Sequence, residues 1–158
     1  MTETIVSTYM RTMGLDEDTI ARVRTHRPLL ETRIDGLVDR YFAHLRTLDL
    51  GLPPLEGDRA VSLRAIRVAH WKQLLDADFA GVWTDYAENI GRRAIESRLP
   101  PKVLLVAAEW FHLDLAREIG DAPEIAPDDR IALIIALGRF AYLDLALAQA
   151  AIGMTWID

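Results

Sequence analysis

Cysteine is absent from the 158 residues, which removes disulfide frameworks, thiol nucleophiles and thiolate metal sites from consideration. Basic charge is scarce too. The 18 Lys and Arg residues face 24 Asp and Glu residues, for a formal net charge of −6, and no dense cationic cluster is present to meet a phosphate backbone. A nucleic-acid partner is therefore not expected. Arginines do gather between Arg22 and Arg46, but acids are interspersed among them, as on a solvated helix face. Seven prolines in a chain that is 51% hydrophobic exclude disorder and collagen-like repeats. The opening "MTETIVSTYMRTMG" has neither the basic start nor the continuous apolar segment of a signal peptide. These absences leave one expectation: a single cytoplasmic domain over residues 1–158 with a sizeable apolar core.

What is present is helical periodicity. Leu15, Asp16 and Ile20 have the spacing of a hydrophobic staple around an N-cap, predicting a first helix that runs to about Arg27. Pro28 is expected to break it and to open a second helix, with Leu30, Ile34, Leu37, Tyr41 and Leu45 on one face and Phe42 beside them. "LDLGLPPLEG" reads as a loop. A third helix capped by Asp58 carries Leu63, Ile66, His70 and Leu74 on one stripe and Val61, Val68 and Leu75 on another, as if sandwiched. A fourth, from Ala80, aligns Trp83, Tyr86, Ile90 and Ala94. Pro101 suits the first turn of a fifth helix whose expected buried stripe is Val103, Val106, Trp110 and Leu113.

Pro127 then opens a sixth helix, "DDRIALIIALGRFAYLDLALAQAAIGMT", about 42 Å long at 1.5 Å per residue and apolar on every side. Such a surface must be covered all round. Arg139, Asp144 and Gln149 interrupt it where a membrane span tolerates charge least, so cover by a second subunit is expected, with Ala148 on the outward face. No strand pattern or internal repeat is evident.

Chemistry-bearing constellations are missing. The histidines, His26, His44, His70 and His112, have no histidine partner at i+4, and no nucleophile and base or phosphate-cradling glycine pattern is present, so no enzymatic activity is expected. His112 and Asp114, two apart, face different ways on a helix. His70 stands on an apolar stripe. The ordinary explanation is a core histidine bonded to a neighbouring group, and the competing one is a ligand role. Trp71, Trp83, Tyr86, Trp110 and Phe111 could line a flat cavity, although helical aromatics are more often plain core.

Several words of the sequence, taken in order, are more specific. "RPLLETRIDGLVDRYFAHL", "AHWKQLLDADF", Ile90-Gly91, "LPPK" from Leu99 to Lys102 and "LDLALAQA" resemble the sensor globins, that is, the globin-coupled sensors and protoglobins, over Leu15 to Ile152. The resemblance implies an all-α, globin-like fold around a heme pocket, a homodimer through the last two helices and a heme-based oxygen or gas sensor. It also implies a proximal histidine between the Ile-Gly pair and the Leu-Pro step. This sequence has Ala94 there. The distal tyrosine position falls on Phe42, next to Tyr41, and Ser97 and Arg98 depart from the pattern before Leu99.

Alanine offers no lone pair to iron. Three readings follow: a heme-free sensor or regulatory domain that holds another apolar ligand or none; a heme protein with a substitute axial ligand such as His70, Tyr41 or Tyr86; or a structural dimerisation module. The candidate pocket residues are Tyr41, Phe42, His70, Tyr86, Ile90, Ala94 and Trp110. Any signalling output would come from a separate partner protein.

Overall fold

A computed structural model describes residues 5–49, 55–79, 89, 92 and 101–154. All regular structure among them is helical. The elements in chain order are α1 (Ile5–Thr12), α2 (Glu17–Thr47), α3 (Gly57–Asp76), α4 (Pro101–Gly120) and α5 (Pro127–Met154).

The N-terminal helix α1 was not legible in the sequence pattern. It ends on Gly14, which adopts φ +64°, while Leu15 N donates to Met10 O and Gly14 N to Arg11 O. This left-handed closure places no Cβ in conflict only with glycine, and it turns the chain straight into α2. Asp16 then caps α2 as expected, its carboxylate accepting from Thr19 N at 2.8 Å.

Pro28 does not break the chain. One helix runs from Glu17 to Thr47 with Pro28 inside it. A proline in a helix interior costs about 3 kcal/mol, but Val23, Leu30 and Ile34 on either side of it are fully buried in one core, each worth about 1.5–3 kcal/mol. Pro28 itself lies on the exposed face, where its ring displaces no core group. Continuity of the buried face outweighs one lost hydrogen bond. The expected stripe from Leu30 to Leu45 is buried, Tyr41 and Phe42 included.

Glu56, not Asp58, occupies the N-cap of α3 and makes no side-chain cap bond; Asp58 lies in the first turn, where a carboxylate suits the positive helix end. The helix closes on Ala77 in a left-handed conformation, φ 53°. Arg24 of α2 donates to the carbonyls of Asp76 and Ala77, so the tertiary structure satisfies this exposed helix end. The sandwiched reading holds only for the second half of α3. His70, Trp71, Leu74 and Leu75 are buried, whereas Val61 is 68% exposed and Ile66 faces solvent.

The last two helices begin and end where the prolines and Gly120 indicated, and they pack side by side in antiparallel sense, with His112 opposite Ile134 and Gly138 and with Arg130 reaching back to Gly120 O. The buried face of α4 differs from the expected stripe. Leu104, Ala107, Phe111, Leu115 and Ile119 join Val103 inside, while Val106 and Trp110 are half-buried and Leu113 is exposed. Both faces are apolar enough for periodicity to choose either, and packing against α2 and α5 decides. On α5, Ala148 is only 3% exposed and belongs to the core, contrary to the expected outward position. Ile131 (67%), Ile135 (51%) and Tyr142 (54%) form the outward stripe instead.

Candidate functional site

Three helices meet at a set of rings: α2 contributes the adjacent Tyr41 and Phe42, α3 contributes Trp71 and α4 contributes Phe111. Tyr41 of α2 lies 5.5 Å from the Trp71 ring of α3, Trp71 lies 5.3 Å from Phe111 of α4, and Phe42 meets Tyr41 edge-on at 5.7 Å. Tyr41, Trp71 and Phe111 are each 1% exposed. They form a ring ladder through the core, worth more than its area alone because tilted and edge-on ring pairs add attraction.

His70, beside Trp71 on α3, is fully buried, and its Nε2 lies 2.9 Å from Asp144 Oδ2 of α5. Asp144 was visible in the sequence only as a charge interrupting an apolar helix. A lone acid in such a run signals a buried partner. The pairing with a residue 74 positions away explains why the helix tolerates it. The second carboxylate oxygen, Oδ1, is buried without a hydrogen-bond partner among the described residues.

Trp110 does not join this group. It stacks on His44 with 4.5 Å between centroids, on a cleft of about 160 Å³ also lined by Val106, Glu109 and Leu113. Tyr86, Ile90 and Ala94, with Trp83, lie outside the described residues. The structure thus sets Tyr41 and Phe42 against Trp71, pairs His70 with α5 and places Trp110 against His44.

Electrostatics around α3 are uneven. Arg64 bonds Asp39 at 2.6 and 3.0 Å and Lys72 bonds Asp35 at 3.0 Å, tying the outer face of α3 to α2. Arg67, between them in sequence, meets aromatic rings instead of an acid. Its guanidinium carbon sits 6.0 Å from the Tyr41 ring centroid and 5.8 Å from that of Trp71. Burial pushes the Tyr41 hydroxyl above the ordinary phenol value, with the Arg67 charge pulling in the opposite sense.

On the far side of α4, Asp114 is nearly buried and receives Nε and Nη2 of Arg40 at 2.8 and 2.6 Å. Arg40 also reaches Glu118 at 2.9 Å. This cluster ties α2 to α4 and accounts for the buried acid without invoking chemistry. No group of three or more potential metal ligands occurs among the described residues.

A model of the Protoglobin family matches residues 2–152. The chain belongs to the protoglobins. Comparison with individually curated proteins gives no match. Membership accords with the all-helical architecture and makes the Tyr41, Phe42 and His70 region part of a globin-fold domain. Among the described residues of this protoglobin, one helix, over Pro127–Ala150, is long and apolar enough to cross a membrane, and half of it is buried inside the domain.

The family implies heme, so the donors near the site bear on it. Ala94 has no lone pair. His70 directs Nε2 at Asp144, which makes it a core histidine spanning two helices. Burial pushes the Tyr41 hydroxyl above the ordinary phenol value, which disfavours the phenolate that an iron-ligating tyrosine supplies. Among the described residues, these donors do not fit conventional axial ligation.

Proposed function

We propose that this protoglobin is a globin-fold sensor or regulatory domain that works without conventionally ligated heme, holding another apolar ligand or none. The observation that carries the reading is the engagement of the buried histidine, His70, by Asp144, in a chain with Ala94 at the family's proximal position. The core remains that of a ligand-binding globin, while its imidazole serves to join α3 to α5. Catalytic turnover by this chain itself is not part of the reading, since no nucleophile and base pair among the described residues supports one.

The domain acts as a homodimer. Leu105 and Leu113 on α4 and Ile131, Ile135 and Tyr142 on α5 are large apolar groups left in solvent by a single copy. A second copy placed against the same two helices covers both sets in one isologous contact. Such a dimer lies in the cytoplasm and passes its state to a separate output protein.

Titration of the purified protein with hemin, followed by absorbance, tests the heme-free reading. Wild type is expected to show only weak, nonspecific uptake, and Ala94→His to gain a histidine-ligated Soret band. The second reading makes His70 a substitute axial ligand, which is at odds with the engagement of its Nε2 by Asp144. Tight hemin binding by wild type that is lost in His70→Ala would establish that reading and overturn the first.

A further inference from the structure

Resting on the ligand-holding form of the reading above, we propose that Arg67 is the anion anchor of the site and that the ligand is an apolar molecule carrying a carboxylate.

Among the described residues, Arg22, Arg27, Arg40 and Arg64 pair with carboxylates, and Arg24, Arg130 and Arg139 bond backbone carbonyls. Arg67 is half-buried, yet its contacts are two aromatic rings, which take up positive charge but offer no acceptor to any of its five N–H groups. The acids nearest along the α2–α3 contact, Asp35 and Asp39, are held by Lys72 and Arg64. A guanidinium on a half-buried residue, with no acceptor among the described residues, is suited to bind one that arrives from outside.

The position of Arg67 specifies the rest of the ligand. Tyr41 and Trp71 are the two rings of the core ladder that Arg67 meets, and its side chain forms part of their cover. When the side chain swings aside, an apolar ligand body takes its place on the ring faces and the guanidinium closes on the ligand's carboxylate in a forked, two-bond contact. A ring contact of the empty protein is exchanged for stacking plus a charge-assisted pair. The chemistry is met by a fatty acid or by a tetrapyrrole with carboxylate side chains, and neither needs an axial ligand from position 94.

Fluorescence titrations with cis-parinaric acid and its methyl ester, and with metal-free protoporphyrin IX and its dimethyl ester, test the anchor. Wild type is expected to bind at least one acid more tightly than its ester, and the pair that shows this identifies the source. In Arg67→Ala, affinity for that acid should fall about ten- to a hundredfold, the range for losing a charged hydrogen bond. Affinity for the ester should be nearly unchanged, and Arg67→Lys, which keeps the charge without the fork, should lie between. Circular dichroism of each variant shows whether the fold is kept. Equal affinity of wild type for acid and ester, or an acid affinity unmoved in both variants, overturns the anchor while leaving a ligand-binding pocket. Absence of binding by all four probes overturns the anchor and the ligand-holding reading together.

Discussion

Asp144 Oδ2 stands 2.9 Å from His70 Nε2, joining the longest helix of the second half of the chain to the most buried turn of α3. Of the two helices it joins, α3 also carries Arg67 and Trp71, and α5 carries the outward apolar stripe of Ile131, Ile135 and Tyr142.

Removing one member of this pair should be costly, because it strands the other in the core. Asp144→Ala is expected to destabilise by about 1–3 kcal/mol in urea unfolding, and Asp144→Asn, which retains an acceptor, by less. The double variant His70→Leu/Asp144→Leu should lose less than the sum of the two single changes. Additive losses would show that the two groups do not interact energetically.

Gly138 owes its identity to His112. A Cβ at position 138 would meet Cε1 and Nε2 of that imidazole at 2.9 Å, and the ring is not free to retreat, since Nε2 donates to Ile134 O at 3.1 Å. Gly138→Ala gains about 1 kcal/mol in helix propensity and loses about 1–3 kcal/mol to overpacking, so a net loss of stability is expected. In a His112→Ala background the same change should become stabilising. The sign reversal is read from unfolding midpoints of the four proteins.

The dimer is tested at Ile135, not at the buried Ala148. Ile135 is 51% exposed, so Ile135→Glu should leave the monomer folded while placing a charge in the proposed apolar contact. Sedimentation at micromolar concentration is expected to show a dimer for wild type and a shift to monomer for the variant. A wild type that sediments as a monomer removes the proposed interface.

Acid sensitivity follows from the α2–α3 ion pairs. A hydrogen bond from Lys72 holds Asp35 below the usual carboxylate value of about 4, and one from Arg64 does the same for Asp39. Each folded-state pKa is depressed, so the stabilisation is fully present above about pH 4 and is lost as pH falls through the lower folded values. Both acids are largely exposed, so the effect is modest. Asp35→Asn/Asp39→Asn should flatten the decline of the urea midpoint below pH 4, and an unaltered decline would assign acid sensitivity elsewhere.

Local chemistry determined much of this protein before any packing was known. The Asp16 cap, the starts at Pro101 and Pro127 and the apolar stripe from Leu30 to Leu45 are set by groups within a turn or two of one another, so the sequence carries them openly. The same holds for Ala94, since the missing lone pair is a property of the residue itself. Tertiary structure decided what lies farther apart along the chain. It carried α2 through Pro28 because Val23 and Leu30 share one core, and it chose between two apolar faces of α4 by what α2 and α5 presented. Only the fold could join His70 to Asp144, or leave Arg67 on two aromatic rings while Arg64 found an acid, because a side chain's partner is fixed by the helix opposite it and not by its neighbours in sequence.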